Sequence, residues 1–254
     1  MATHPGTDVT APAAWTEPRP VLAIAHRGDP FHHPENTLPS FRSALDAGAD
    51  AVELDVRLTR DGVPVVLHDA GLKRVWGHDC PLRELTLAEV TELCGGSVPT
   101  LRQALASTFP KLTLVDLPEP DGRLAREVVA TVREDGSMGR VRYCGDPAAL
   151  RAVREHDSAA DIALTWKLPT PIRRSLLADI APTWLNLRFG LIDRRLVERA
   201  HERGYLVGAW TADTRRTMRR LIGLGVDAVT SNRVAVLREE IDRTGDGAAP
   251  RPPL

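Results

Sequence analysis

The sequence predicts a single α/β domain folded as a (β/α)8 barrel of the TIM type. Its 254 residues exceed one average domain but fit one barrel of this kind. From residue 21 to residue 240, short apolar runs of strand length alternate with longer stretches of helical period, as in a parallel sheet wrapped by helices. Because 43% of the residues are hydrophobic and 26% are charged, the chain can bury a proper core.

Nine segments have the pattern of strands, one more than an eight-stranded barrel needs: 21–25, 51–56, 63–67, 112–117, 141–144, 162–166, 184–187, 206–210 and 228–230. Seven segments have the helical period: 38–47, 101–107, 122–134, 147–155, 171–180, 193–203 and 214–224. Several of these helices are followed by a glycine, such as Gly48 or Gly225, because a left-handed residue commonly ends a helix.

The second and third strand segments are predicted to form a β-hairpin. The link at 59–62 is too short for the crossover that parallel neighbours require. A turn centred on Asp61 and Gly62 is typical of a hairpin, and it places His68 roughly opposite Asp55. An imidazole and a carboxylate would then meet at the open end of the barrel.

The remaining segments lie outside this repeat. Residues 70–98 form a small insertion that protrudes at the same end, where it either frames a pocket or only connects two elements. Residues 1–20 and 241–254 are weakly hydrophobic and lack periodicity, so both are predicted to be disordered tails. No apolar run has the length of a signal sequence core or a membrane span, and we expect a cytoplasmic protein.

The overall charge excludes one class of partner. A net charge of -1 exerts no general attraction on nucleic acid, so neither DNA nor RNA is an expected partner. The three cysteines lack the spacing of a zinc site or a disulfide framework. Nothing in the sequence indicates an oligomer interface, and the oligomeric state stays open.

Chemistry-bearing side chains cluster at the ends of the first three strand segments. Glu53 and Asp55 alternate along a strand, so both carboxylates point to one face, and Mg²⁺ or Ca²⁺ prefers such hard oxygen ligands. His26 and His68 follow apolar strands, and imidazole is suited to proton transfer near neutral pH. The cluster therefore predicts a metal-assisted reaction at a phosphate ester, with the two histidines as an acid/base pair in an undecided order.

Arg27 and its neighbours are predicted to serve the phosphate. The guanidinium of Arg27 offers a planar fork of donors to phosphate oxygens, and Glu35 could orient it from behind or simply pair with it. Asn36 stands where a residue capping the helix of 38–47 would stand, and it is predicted both to shape this turn and to support the pocket. The adjacent pair His32 and His33 is interpreted as part of the entrance loop, since neighbours on an extended segment point apart.

The motifs resemble those of the glycerophosphodiester phosphodiesterase family, within the phosphatidylinositol phospholipase C-like phosphodiesterases, over about residues 21–237 with little to match at 121–189. They occur in the order of that family: Ala25-His26-Arg27-Gly28, Pro34-Glu35-Asn36-Thr37, Glu53-Leu54-Asp55-Val56, Thr59-Arg60-Asp61-Gly62, His68-Asp69, Val98-Pro99-Thr100-Leu101, His201-Glu202-Arg203-Gly204, Trp210-Thr211 and Gly225-Val226-Asp227. The resemblance implies a barrel with catalytic groups at the carboxyl ends of its strands and an aromatic pocket residue at Trp210.

Departures from the family pattern affect the metal and the phosphate. Asp116 stands where the family has Glu and Pro118 where it has Lys. Asp116 keeps a carboxylate and is expected to be the third metal ligand with Glu53 and Asp55. Pro118 removes a cation, which Lys167 or Arg188 would have to supply from another strand.

Two milder departures lie near the last strands. Asp213 stands where Asn is usual, and Ser231-Asn232 where Thr-Asp is usual. These two changes bear on substrate preference more than on the chemistry.

The predicted function is metal-dependent hydrolysis of a small-molecule glycerophosphodiester to sn-glycerol 3-phosphate and an alcohol, with one Mg²⁺ or Ca²⁺ as cofactor. The attacking oxygen belongs either to water or to the 2-hydroxyl of the substrate. Two alternatives stay open. The same site could act on a lysophospholipid, a sphingolipid or a glycerol-phosphate polymer, or the chain could be a catalytically impaired barrel that only binds phosphate.

Overall fold

Eight parallel strands close into a barrel in the computed structural model, which describes residues 20–245. A ninth strand, β3, pairs antiparallel with β2 outside the ring, so the extra strand predicted from the sequence is the hairpin partner. In chain order the strands are β1 (Leu22–His26), β2 (Ala51–Leu58), β3 (Pro64–Val66), β4 (Leu112–Leu117), β5 (Val141–Gly145), β6 (Asp161–Trp166), β7 (Trp184–Arg188), β8 (Leu206–Trp210) and β9 (Ala228–Ser231).

The ring order is β1, β2, β4, β5, β6, β7, β8 and β9, and β9 pairs with β1 to close it. The α-helices of the described chain are α1 (Leu38–Asp46), α2 (Lys73–Trp76), α3 (Leu87–Leu93), α4 (Leu101–Thr108), α5 (Gly122–Glu134), α6 (Pro147–His156), α7 (Arg174–Ile180), α8 (Arg194–Glu202), α9 (Arg215–Leu224) and α10 (Val234–Gly245). Short 3-10 helices occupy Leu82–Glu84, Met138–Arg140 and Phe189–Leu191. The predicted TIM-type barrel is thus confirmed.

The alternation of each strand divides its side chains between two cores. One set faces the helices and forms the main apolar core between the two layers. The other set faces the barrel axis, where Ile24, Leu114 and Trp184 belong to a second apolar cluster. One pleat further along the same strands, the inward positions change to His26 and Asp116. The apolar cluster therefore fills the barrel interior, and the polar side chains form a layer above it at the carboxyl ends of the strands.

The hairpin register differs by one residue from the sequence prediction. Val56 pairs with Val66, and the carbonyl of Asp55 accepts a hydrogen bond of 3.0 Å from the amide of Leu67. His68 therefore lies one residue beyond the position opposite Asp55. Thr59 and Val63 face each other, since the amide of Thr59 donates to the carbonyl of Val63 at 3.1 Å and the amide of Val63 donates to the Thr59 hydroxyl at 2.9 Å. The loop therefore holds the three residues 60–62 instead of the predicted two, and the added residue is Arg60.

The predicted C-terminal tail begins too early. Helix α10 continues to Gly245, and Ile241 is only 7% exposed because it packs with Leu237 against the barrel. Val234, Leu237 and Ile241 have helical spacing, a stripe that the low overall hydrophobicity of the segment conceals. The predicted tail residues 246–254 and all but the last residue of 1–20 lie outside the described residues.

The insertion at 70–98 has its own structure. It contains α2 and α3 and packs a separate apolar cluster around Leu72, Leu82 and Val90. The cluster is attached to the hairpin through Val65 and Leu67, which fixes the insertion beside the carboxyl end of β2. No helix within the described residues is long and apolar enough to cross a membrane.

Candidate active site

A cavity of about 300 Å³ opens at the carboxyl ends of the barrel strands. Eight of the ten predicted site residues line it: His26, Arg27, Glu53, Asp55, His68, Asp116, Lys167 and Trp210. The other two, Glu35 and Asn36, lie behind the wall and contact Arg27 and Asp55. The residues predicted from the strand ends therefore converge on one pocket.

A tight turn after β1 directs Arg27 into this pocket. Arg27 and Gly28 both have positive φ, at 58° and 89°, and a Cβ on Gly28 would collide with Ser40 at the start of α1. Only glycine fits this approach. The amide of Arg27 donates to the carbonyl of Glu53 at 2.9 Å and to its Oε2 at 3.1 Å. The turn is thereby tied to β2.

Three carboxylates form an acidic cluster on the pocket floor. Oxygen atoms of Glu53, Asp55 and Asp116 all lie within 4.8 Å of one another. Their strands are adjacent and in register, since Glu53 pairs with Leu114 and Asp55 with Asp116. Alternation then places all three side chains on the barrel axis.

The cluster is electrostatically unfavourable without a cation. Burial and then the charge of Asp55 raise the pKa of Asp116 to about 7. Burial and the charges of Asp55 and Asp116 likewise raise the pKa of Glu53 well above its ordinary value. Three hard oxygen donors at this spacing fit a divalent cation, which would offset the mutual repulsion.

Arg27 supplies the nearest positive charge to the cluster. Its Nε lies 3.1 Å from Asp55 Oδ2, and its Nη1 donates to Glu35 Oε1 at 2.9 Å. Both contacts hold the guanidinium on the pocket wall, where part of its fork of donors still faces the cavity. The orienting role considered for Glu35 thus has a geometric basis.

His26 points its Nε2 toward the acidic cluster. Nε2 lies 3.9 Å from Glu53 Oε2, and Nδ1 lies 2.8 Å from Asn232 Oδ1 behind it. Burial and then the charge of Arg27 lower the pKa of His26 below the usual histidine value. At neutral pH this imidazole is therefore uncharged and can accept a proton.

His68 lines the same pocket and has different charged neighbours. Its Nδ1 lies 2.6 Å from Asp69 Oδ1, and the Nε of Arg57 donates to its carbonyl at 2.7 Å. A hydrogen bond from Arg74, opposed by partial burial and supported by His68, lowers the pKa of Asp69 to about 2. Asp69 is therefore an anion at neutral pH, and its carboxylate holds the imidazole of His68 through Nδ1.

Arg74, from α2 in the insertion, connects the two halves of the site. Its Nε donates to Asp69 Oδ2 at 2.6 Å, and its other nitrogens donate to both oxygens of Glu35 at 3.0 and 2.6 Å. Because Glu35 also binds Arg27, an ion-pair chain runs from Arg27 to His68. The insertion thus supports the site through Arg74, although none of residues 70–98 is among the residues that line the cavity.

Asn36 does not cap α1, so the capping role predicted for this residue is wrong. Thr37 is the N-cap and accepts from the amide of Ser40. Asn36 has a φ of 59°, which turns its side chain inward, and its Nδ2 donates to Asp55 Oδ2 at 2.8 Å. Its capping chemistry is used instead to orient a carboxylate of the acidic cluster.

The cation missing at Pro118 has one candidate replacement in the pocket. Pro118 and Lys167 both line the cavity, whereas Arg188 is not among the lining residues. Trp210 also lines it, and its Nε1 donates to the carbonyl of Asn186 at 3.2 Å. That bond holds the indole against the wall.

Several side chains in or next to the pocket were not predicted as site residues, and Arg74, Cys144 and Asn232 are three of them. Arg74 lies in the insertion, to which no site residue was assigned. Cys144 is the penultimate residue of β5 and faces the barrel axis, and Asn232 was noted only as a departure from the family pattern. The Cys144 thiol donates to Asp116 Oδ1 at 3.5 Å, and burial raises the pKa of this thiol. Position at a strand end was the available signal for Cys144.

Comparison with known proteins supports the resemblance noted in the sequence. Residues 26–236 match the model of the glycerophosphoryl diester phosphodiesterase family. A glycerophosphodiester phosphodiesterase of Caldanaerobacter subterraneus subsp. tengcongensis is 29% identical over 232 residues, covering 83% of this chain and 93% of the relative.

Solved structures share the fold. A phosphodiesterase of Oleispira antarctica, in complex with the product sn-glycerol-3-phosphate, has a TM-score of 0.81 at 23% identity, covering 88% of this chain and 97% of its own. A glycerophosphodiester phosphodiesterase of Thermotoga maritima has a TM-score of 0.71 at 24% identity, covering 86% and 97%. The family match across most of the chain decides the assignment: this chain belongs to the glycerophosphoryl diester phosphodiesterase family and is a phosphoric diester hydrolase.

Proposed function

We propose that the enzyme hydrolyses glycerophosphodiesters to sn-glycerol 3-phosphate and an alcohol, with one Mg²⁺ or Ca²⁺ held by Glu53, Asp55 and Asp116. The observation that carries the proposal is the convergence of this acidic cluster, Arg27 and two histidines on one cavity of about 300 Å³. That volume suits a small molecule. The product held by the Oleispira antarctica phosphodiesterase is of the same class.

The two histidines have different surroundings that suit different tasks. His26 is uncharged because burial lowers its pKa, so Nε2 accepts the proton of the attacking oxygen. His68 has Nδ1 2.6 Å from the Asp69 carboxylate, and we assign it the delivery of a proton to the departing alkoxide. A bond from the attacking oxygen to phosphorus forms while the bond to the alcohol oxygen breaks.

The charge that develops on the phosphoryl oxygens requires stabilisation from the pocket wall. Arg27 donates to these oxygens from a position that Glu35 and Asp55 hold. Lys167 supplies the second cation in place of the lysine that Pro118 replaces. When bound, the divalent ion would act as a Lewis acid on the phosphoryl group.

Phosphorus NMR tests this function directly. Purified protein is incubated with glycerophosphocholine and, in parallel, lysophosphatidylcholine, in Mg²⁺, in Ca²⁺ and with chelator. We expect sn-glycerol 3-phosphate from glycerophosphocholine with a cation and none with chelator. A cyclic phosphate intermediate would identify the substrate 2-hydroxyl as nucleophile, and its absence in a rapid-quench series would identify water.

Two variants make the test specific. His68→Asn removes a proposed proton carrier and should abolish turnover. His156→Asn changes an exposed histidine at the end of α6 and should leave turnover unchanged. Folded, cation-binding protein that cleaves no glycerophosphodiester would contradict the proposal, and cleavage of lysophosphatidylcholine alone would move the substrate class to lysophospholipids.

A further inference from the structure

Two departures from the family pattern lie in direct contact with each other. Asp213 follows β8 and Asn232 follows β9, where the family resemblance implies Asn and Asp respectively. Asp213 Oδ1 accepts from the backbone amide of Asn232 at 2.8 Å, and Oδ2 accepts from its Nδ2 at 2.8 Å. The carboxylate and the amide have therefore changed places as a pair.

The contact fixes which way the amide of Asn232 faces. A carboxylate only accepts hydrogen bonds, so the NH₂ group must face Asp213. The amide oxygen then points the other way, toward His26, with 2.8 Å between Asn232 Oδ1 and His26 Nδ1. The Ser231 hydroxyl also donates to Asp213 Oδ1 at 3.1 Å. The carboxylate of Asp213 therefore accepts hydrogen bonds from this hydroxyl and from both the backbone and the side-chain amide of Asn232.

The orientation of the amide selects the tautomer of His26. An amide oxygen carries no proton, so Nδ1 must be the donor and hold the hydrogen of the neutral ring. The lone pair is then at Nε2, the nitrogen that faces the acidic cluster at 3.9 Å from Glu53 Oε2. An amide makes this selection without placing a formal charge against the ring.

We propose that Asp213 and Asn232 are positioning residues that hold His26 in its Nδ1–H tautomer, with Nε2 free to accept a proton. Asp213 orients the amide of Asn232, and Asn232 orients the ring. The catalytic consequence rests on the proposed function, whereas the tautomer does not depend on any substrate. Neither residue lines the cavity, so neither is expected to bind the substrate.

Nitrogen NMR of the full-length protein with ¹⁵N-labelled histidine, in Mg²⁺ and at about pH 8, tests the tautomer without turnover. The His26 signals are assigned by their loss in His26→Asn. The wild type should show a protonated Nδ1 and an unprotonated Nε2. Asn232→Leu and Asp213→Asn should each give a mixture of tautomers, while His201, whose Nε2 lies 2.7 Å from Asp227, keeps its pattern and reports an intact fold.

The double variant Asp213→Asn with Asn232→Asp provides the rescue. It returns the carboxylate and the amide to the order that the resemblance implies, and an acceptor again faces Nδ1. We expect Asn232→Leu to lower kcat about 10- to 100-fold with KM little changed, and the double variant to recover most of that loss. Asn232→Asp alone sets two carboxylates against each other and should be worse than the double variant.

A wild-type His26 with a protonated Nε2 would overturn the inference, as would an unchanged tautomer in both Asn232→Leu and Asp213→Asn. If Asn232→Leu does not fold, the His26 tautomer in Asp213→Asn and the kcat of the double variant still test the inference. A correct set of tautomers in protein that cleaves no diester would support the positioning pair and count against the proposed function instead.

Discussion

Replacement of Asp116 by Asn should stabilise the chelated protein while weakening its cation site. Asp116 stands with Glu53 and Asp55 in the acidic cluster, where their oxygens lie within 4.8 Å of one another. The neutral amide keeps the shape of the side chain and can still accept from the Cys144 thiol. It removes one of three charges that repel one another in the absence of a cation.

The magnitude follows from the pKa of Asp116. Burial and the charge of Asp55 raise it from 3.8 to about 7, so the folded carboxyl holds its proton more tightly than the unfolded one. The free energy of unfolding therefore falls as pH rises from about 4 to about 7 and stays lower above that range. The full penalty is up to about 4 kcal/mol, and we expect Asp116→Asn to recover at least about 1 kcal/mol of it.

Urea denaturation with chelator at about pH 5 and pH 8 measures this difference. Asp46→Asn, at the exposed end of α1, is the matched control and should change stability by less than about 0.5 kcal/mol. Added Mg²⁺ or Ca²⁺ should then stabilise the wild type, because the folded state alone holds the cation site. The Asp116→Asn protein should gain less stability from the cation, because it has lost one charged ligand.

Two results would refute the reasoning. One is an Asp116→Asn protein that is no more stable than the wild type at about pH 8 in chelator. The other is an equal loss of stability for both proteins between about pH 5 and pH 8, which would place the titrating group elsewhere.

Three further outcomes are expected. Gly145→Ala should lower the free energy of unfolding by at least about 2 kcal/mol in urea denaturation. Gly145 has a φ of 122°, and a Cβ there would collide with the backbone of β4. Gly139→Ala is the control, because a Cβ at Gly139 would meet open space. Arg27→Lys should lower kcat about 100-fold in steady-state kinetics, and a loss below threefold would argue against its role at phosphate. Arg74→Met should lower the urea midpoint more at pH 6 than near pH 2, since the Asp69 carboxylate that it stabilises is present above its ordinary pKa and is lost as pH falls through about 2. An equal loss at both values would exclude this ion pair as the cause.

Much of the site was predictable because it depends on strand ends. Glu53 and Asp55 face one side through local alternation alone, and parallel strands bring their carboxyl ends to one rim. His26 and His68 follow from the same rule. The barrel needed no more information than the alternation of apolar runs and helical stretches.

The sequence predictions that were wrong arose where a local sequence signal competed with a tertiary contact. Asn36 has the chemistry of a helix cap, but its left-handed backbone turns the side chain toward Asp55, and Thr37 caps α1 instead. The tail after residue 240 looks polar on average, yet Ile241 packs on the barrel. A one-residue difference in the hairpin loop displaced His68 from Asp55.

By itself the sequence determined the fold class, the strands that carry the site and the identity of most groups in it, because these follow from periodicity and from motif order. Only the tertiary structure decided how those groups are held. Arg74 reaches Glu35 across 39 positions, and Asn232 reaches His26 across 206. Such contacts depend on how the barrel closes and on where the insertion packs, and neither is encoded in the residues next to them.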